Sequence, residues 1–590
     1  MDTPKWMQTC SLSYPMFTSK GLFYQKKYGE DGHWIVLRDI DSGCVEPILK
    51  GVKTTLGYGG RGWSVSSCGN HLVFCDRNKV LWKHHVSSAK QEKICEGFEG
   101  LGAPWVSNDG KKIVFSAEKN GLCQVWMWSE QGGDLRCLSA RSWFAWNASC
   151  HDEKTVWCEW NEGVMPWEES HLVFETENGL QCLKAEGASL SYPGFSKDGS
   201  SIIYTSDELG SRQLWRYSLE TQQTQQLSFV EGEVYRPDWI CGSSPWAQTS
   251  DSEVGFIYSQ NGIEKFGCLK NFLNNPFFED QNILEHFTVV DGVSGADGKV
   301  FLSGQKWDHP GKIIEKHTAK GVETTDWKVC DTARVGGDGV FPREELCIES
   351  LSWTLPGAKT QVFGVLRKSK SKTKAPLWIH IHGGPTSCET QSWRPDASFW
   401  NLKGWHWLSV NHRGSSGYGR FYQDTLREQW GCVDVEDVCS AARYAVQEGI
   451  ADPDQIYLFG GSAGGWTVLQ AMIAEPDLWA GGVALYPVSD LSQLEEQTHR
   501  FEKSYNHFLV GDRAVWDDRS PIFNAHRILK PLLLCHGLDD QAIPFTHSEN
   551  LASRIDSEKV RFLPFEQEGH GFSLKAKQKV WEEMEAFFAP

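Results

Sequence analysis

The stretch Ile456-Tyr457-Leu458-Phe459-Gly460-Gly461-Ser462-Ala463-Gly464-Gly465 decides the fold of the second half of this chain. Four apolar residues run into Gly-x-Ser-x-Gly, and Trp466–Ala474 behind them has helical periodicity. Strand, tight turn and helix in that order are the setting of a nucleophile elbow. Side chains beside Ser462 would collide with the flanking strand and helix, which is why glycine recurs there. Such a turn lifts the hydroxyl out of the sheet and aims backbone N–H groups at a developing oxyanion.

A serine hydroxyl needs an imidazole to take its proton, and the imidazole needs a carboxylate to fix its tautomer. Both follow downstream. Pro531–Cys535 reads as a strand ending in the acidic loop Gly537-Leu538-Asp539-Asp540-Gln541-Ala542-Ile543-Pro544. Glu566-Gln567-Glu568-Gly569-His570-Gly571-Phe572 follows a further strand, Val560–Leu563. Upstream, Trp378-Ile379-His380-Ile381-His382-Gly383-Gly384-Pro385 is a strand running into a His-Gly-Gly loop. Such loops supply one oxyanion N–H, here Gly384 or Gly383, with Ala463 supplying the other. His380 and His382 bracket Ile381, point to opposite faces and make no metal pair. His536 reads as structural.

Around these motifs strands alternate with helices from Leu346 to Phe588, which argues for a mostly parallel sheet covered on both faces. The run Lys368-Ser369-Lys370-Ser371-Lys372-Thr373-Lys374 reads as a solvated turn. Before Glu344 the pattern changes to short alternating runs broken by Asn-Gly, Asp-Gly and Gly-Gly turns. Pro104-Trp105-Val106-Ser107-Asn108-Asp109-Gly110 recurs as Pro193-Gly194-Phe195-Ser196-Lys197-Asp198-Gly199, 89 residues later (193 − 104), twice the ~40–45 residues of a four-stranded blade. Units of that size from Tyr14 to Trp327 predict a β-propeller of seven blades. The expected organisation is therefore a propeller over 1–343 and an α/β-hydrolase domain over 344–590.

Composition narrows the function classes. Among 590 residues, 76 Asp and Glu outnumber 58 Lys and Arg, which disfavours nucleic acid and anionic membranes as partners. No stretch reaches the 18 apolar residues of a membrane span. Met1–Trp6 lacks the basic and apolar regions of a secretory signal. The 18 Cys are scattered singly with no Cys-x-x-Cys pair, so they read as reduced, and a zinc site is not expected. The expected compartment is the cytoplasm.

Taken together, the C-terminal segments resemble the prolyl oligopeptidase family of serine peptidases, and in particular its acylaminoacyl-peptidase/dipeptidyl-peptidase branch. The matching segments are His382–Pro385, Asn411-His412-Arg413-Gly414-Ser415-Ser416-Gly417-Tyr418-Gly419, Trp430-Gly431 with Asp434 and Asp437, Gly460–Gly465, Asp540–Pro544 and Gly569–Phe572, collinear over 376–590. Thr498-His499-Arg500-Phe501-Glu502 and Arg519-Ser520-Pro521-Ile522 look like that branch too, and Trp160–Glu168 resembles a stretch in the propellers of some bacterial members.

The resemblance implies a hydrolase of short peptides or acyl-peptides, with a triad of Ser462, His570 and Asp540, the last chosen over Asp539 by its place four residues before Pro544. Gly384 and Ala463 would hold the oxyanion, and no metal or organic cofactor is needed. The propeller would restrict access, Glu162, Glu168 and Glu169 are candidates for holding a substrate amine, and Arg413 would be an ion-pairing residue. A homo-oligomer is admitted. The alternative reading is a carboxylesterase or amidase acting on small molecules through the same triad.

Overall fold

The computed structural model describes residues 10–28, 32–57, 59–317, 326–333, 346–355, 357, 360–370, 374–498, 502–503 and 505–588. They divide into two compact units, one within 8–339 and one within 340–590. The expected boundary at 343–344 lies outside the described residues, as do His499, Arg500 and Phe501.

The first unit is a ring of small antiparallel sheets. Five are separate and four-stranded, beginning at Cys10–Thr18, Trp63–Val65, Leu190–Phe195, Trp246–Ser250 and Val289–Ala296. This corrects the expected count: the propeller has five four-stranded blades, not seven. The strands from Gly100–Val106 to Gly179–Leu183 form one continuous sheet of eight. Its halves are joined where Cys123 of Leu122–Ser129 pairs in parallel with Phe144, and the Cys123 N–H donates to the Trp143 carbonyl at 3.1 Å. Repeat spacing counts how often the chain turns back. A sheet ends only where backbone hydrogen bonding ends, which spacing does not report.

Each sheet is apolar on both faces and is stable only when both are covered. Val73, Cys75 and Leu81 pack with Leu101, Ile113 and Phe115 across one gap, and Leu214 and Tyr192 with Phe256 and Leu269 across another. The ring closes where Leu12, Leu22 and Tyr24 meet Phe301 and Ile313. There Phe17 stacks on Phe301 at 4.9 Å and its N–H donates to Ser294 Oγ at 2.9 Å. The repeat also appears in the backbone. Tyr14, Ala103, Asn147 and Tyr192 sit in innermost strands at φ 46–56°, each in or next to a break in strand register. These are β-bulges, which bend the strand.

The segment 235–245 between two sheets lies across the innermost strands. The Cys241 carbonyl accepts from Arg61 N–H at 2.9 Å. The Gly242 N–H donates to Asn147 Oδ1 at 2.7 Å, the Arg236 carbonyl accepts from the Tyr192 hydroxyl, and Arg236 pairs with Glu264 at 3.1 Å.

The second unit is a single eight-stranded sheet. Its strands are β1 (Leu346–Thr354), β2 (Gln361–Ser369), β3 (Ala375–Ile381), β4 (His406–Asn411), β5 (Ala451–Gly461), β6 (Gly481–Leu485), β7 (Leu532–Gly537) and β8 (Val560–Phe565). Their order is β1-β2-β4-β3-β5-β6-β7-β8. Neighbours from β4 through β8 pair in parallel, while β1–β2 and β2–β4 are antiparallel. Helix α1 (Val433–Gln447) buries Val438, Ala441, Ala442 and Ala445, one stripe at helical spacing, against this sheet. Helix α2 (Ala463–Ala474) is buried on nearly every side, and α3 (Leu574–Phe588) ends the described chain. Among the described residues no helix is long and apolar enough to cross a membrane.

Candidate active site

Ser462 stands between β5 and α2 with φ 58° and ψ −125°. This left-handed, strained geometry is uncommon for a residue with a side chain and persists only where surroundings over-determine it. Here the Ser462 N–H donates to the Leu485 carbonyl at 3.0 Å and its carbonyl accepts from Trp466 N–H at 3.1 Å. The glycines are required by close approach. A Cβ on Gly460 would lie 2.4 Å from the Gly464 carbonyl oxygen, and one on Gly464 would lie 2.3 Å from that of Ile381. The turn thus locks β5, α2 and the end of β3 together.

Of the two adjacent acids, Asp539 is exposed and Asp540 is buried. Asp540 Oδ2 lies 2.8 Å from His570 Nδ1. Its Oδ1 accepts from the N–H groups of Ala542 and Ile543, each at 2.9 Å. Burial alone would raise this carboxyl, but hydrogen bonds from His536 and His570, with the Ile543 N–H, hold it well below the usual carboxylate range. His536 bridges Ser548 at 2.7 Å and the Ile543 carbonyl at 2.9 Å and stands 3.4 Å from Asp540, so it braces the acid loop. His570 itself is on the surface, with Nε2 as its remaining nitrogen.

The His-Gly-Gly loop reaches Ser462. A Cβ on Gly383 would lie 3.5 Å from Ser462 Cβ. His382 sets the direction of that loop. Burial, with His412 beside it, pushes its imidazole down to about 3, so it is neutral. Its Nδ1–H donates to the Gly383 carbonyl at 2.9 Å, and its Nε2 accepts from Ser415 Oγ at 2.7 Å. The Gly383–Gly384 peptide is trans, so anchoring its carbonyl turns the Gly384 N–H the opposite way. The sequence had given His382 no such part. His380 is buried with Nε2 2.8 Å from Arg394.

Arg413 forks onto Asp437 at 2.7–3.1 Å. Asp434 accepts from Gly431 N–H and Thr467 Oγ1, each at 2.7 Å, tying α1 to α2 behind the nucleophile. Glu162 and Glu168 belong to the first unit. Glu162 and Glu169 are exposed, but Glu168 is buried, and its Oε2 accepts from the Met165 N–H at 2.7 Å.

Tyr486 follows the last residue of β6, Leu485. It leaves β6 at φ 36° and lays its ring 4.8 Å from His570 and 5.1 Å from Phe572. A Cβ on Gly461 would come within 3.0 Å of it. The only trace of this in the sequence is glycine at 461, a position where the serine motif accepts any residue.

Residues 391–590 match the model of the prolyl oligopeptidase family. Dipeptidyl aminopeptidase BIII of Pseudoxanthomonas mexicana is 29% identical over 232 residues, 37% of this chain and 34% of that protein. An acylamino-acid-releasing enzyme of Sus scrofa is 29% identical over 217 residues, 35% of this chain and 30% of that one. The matching segment thus spans about a third of the length of these curated relatives. Among solved structures, a puromycin-hydrolyzing peptidase of Mycobacterium tuberculosis superposes with TM-score 0.85 at 23% identity, covering 98% of this chain and 94% of that one. The Pyrococcus horikoshii acylaminoacyl peptidase gives TM-score 0.74 at 15% identity, covering 100% and 98%. At these identities the likeness is one of fold.

Proposed function

We propose that this protein is a serine peptidase acting on short peptides or acyl-peptides, a reading supported by the match of residues 391–590, which carry Ser462, to the prolyl oligopeptidase family. The observation that carries the reading is the 2.8 Å contact between Asp540 and His570 Nδ1 in the unit that holds the Ser462 elbow. The Nδ1 proton bonded to Asp540 leaves Nε2 as the base. His570 takes the Ser462 proton as Oγ attacks the amide carbonyl, and the charge of the imidazolium is held by Asp540. The tetrahedral oxyanion is received by the N–H groups of Gly384 and Ala463. His570 then returns its proton to the leaving amine, and water hydrolyses the acyl-enzyme by the same steps in reverse.

A cytoplasmic setting is part of this reading. It is supported by thiols such as Cys75, Cys158 and Cys535, which are buried and pushed up by that burial, and so behave as inert apolar side chains. In the Trp160–Glu168 stretch Glu168 is buried and Glu162 is exposed, which makes Glu162 the better placed of the two to meet a substrate amine. The test is a digest of a peptide library by the full chain and by Ser462→Ala, read by mass spectrometry. Cleavage confined to the parent is expected. Equal cleavage by both would discard Ser462 as nucleophile, and cleavage of short esters alone would move the protein to the small-molecule esterases.

A further inference from the structure

His570 is held from few directions. It lies between Gly569 and Gly571, and a Cβ built on Gly571 would meet nothing within 4 Å. Asp540 fixes one ring atom, Nδ1. A single hydrogen bond at one atom leaves the ring free to swing about it, and a swing of an ångström at Nε2 is enough to lose the serine proton.

Tyr486 supplies the second constraint. Its ring lies tilted by 58° against the imidazole at 4.8 Å and meets Phe572 edge-on at 5.1 Å. On its other side it fills the space where a Gly461 side chain would be, one residue before the nucleophile. The same ring therefore borders both the turn that presents Ser462 and the base that must reach it. Its own placement costs backbone strain, because φ 36° is unfavourable for a tyrosine. That geometry is held by the Tyr486 N–H, which donates to the Cys535 carbonyl at 2.7 Å, and by Phe572 packed on Phe565 at 4.8 Å. An aromatic held in a strained conformation between the turn that carries the nucleophile and the base is better explained by its ring than by stability.

We propose that Tyr486 is a positioning residue, whose ring face fixes the orientation of the His570 imidazole relative to Ser462. The inference deepens the peptidase reading and rests on it for its kinetic consequence. The role belongs to the ring, not the hydroxyl. Tyr486→Ala in the full chain is expected to lower kcat about tenfold to a hundredfold. KM should stay within about twofold, since the ring acts on the base and not on substrate binding. Tyr486→Phe restores the parent kcat.

A readout without substrate accompanies the kinetics. The His570 Cε1–H signal in NMR, assigned by its loss in His570→Gln, should move and broaden in Tyr486→Ala and stay in place in Tyr486→Phe. An unmoved signal in Tyr486→Ala overturns the proposal, as does a parent kcat in that variant. A Tyr486→Phe variant as slow as Tyr486→Ala overturns it too, as does a loss confined to KM. Because the signal needs no turnover, it decides the positioning even if Ser462→Ala proves as active as the parent, an outcome that would sink the peptidase reading alone.

Discussion

The two units use strained residues in their strands and turns differently. In the ring, Tyr14, Ala103, Asn147 and Tyr192 adopt the same left-handed conformation at register breaks in four innermost strands. The distortion is distributed, and each copy bends its strand in the same manner. In the second unit the described non-glycine residues with positive φ are Glu428, Ser462, Tyr486 and Gln567, and Ser462 and Tyr486 lie at the candidate site. The repeated strain shapes an architecture, whereas the strain at Ser462 and Tyr486 sits where chemistry is placed. Loss of one repeated element should therefore cost stability with little effect on the reaction, and loss of one at the site should do the reverse.

The largest expected departure is Ser462→Ala, which should lower kcat by about 10⁶-fold, with the unfolding midpoint unchanged. Asp540→Asn should follow at about 10⁴-fold, from the wrong imidazole tautomer. The same substitution has a signature in pH. The folded carboxyl is held low, so Asp540 contributes stability above the ordinary carboxylate pKa of about 3.9, and loses it as pH falls toward the folded value. Urea denaturation between pH 5 and about 2 should show a shallower acid decline in the variant.

In the ring, Phe301→Ala should cost about 3–5 kcal/mol, read in the first unit's thermal transition. Turnover of a small ester at Ser462 should survive it. Stability lost together with all ester turnover would break the contrast between the units.

A smaller effect separates acids of opposite circumstance. Burial pushes the Asp291 carboxyl up to about 7, with Arg236 opposing and Glu264 adding to the rise. An acid raised on folding contributes stability below the unfolded value, and loses it as pH climbs through 7. Asp291→Asn should therefore flatten a decline in ring stability between about pH 4 and 7, measured by calorimetry. Last comes Glu162→Gln, expected to leave stability within about 0.5 kcal/mol, as for an exposed site. It should raise KM for free-amine peptides but not for blocked ones.

Much of the second unit was legible because its demands are local. Gly460, Ser462 and Gly464 are dictated by a turn a few residues long, and the strands around them by unbroken apolar runs. The choice between Asp539 and Asp540 came from the family resemblance, and burial separates them in the same direction. Residues whose partners lie far along the chain left fainter marks. Tyr486 reads as one more strand residue until Gly461 and His570 are brought beside it. His382 reads as part of a strand until the Gly383 carbonyl meets its ring. Glu168 reads as a candidate for holding a substrate amine because nothing nearby announces that its carboxylate accepts from the Met165 N–H. In the ring, turn spacing revealed repetition but not the pairing of Cys123 with Phe144, a bond between segments the repeat keeps apart.

The seam at Phe17 and Phe301 has a mechanical corollary. Among the described residues, no strand from one end of the ring's chain is laced into the sheet at the other end. Tension applied between Cys10 and Ala333 would therefore part side chains first, then strip the fold one sheet at a time. An optical-trap trace should show releases of similar length, broken by one step of about double size where the eight-stranded sheet gives way as a unit.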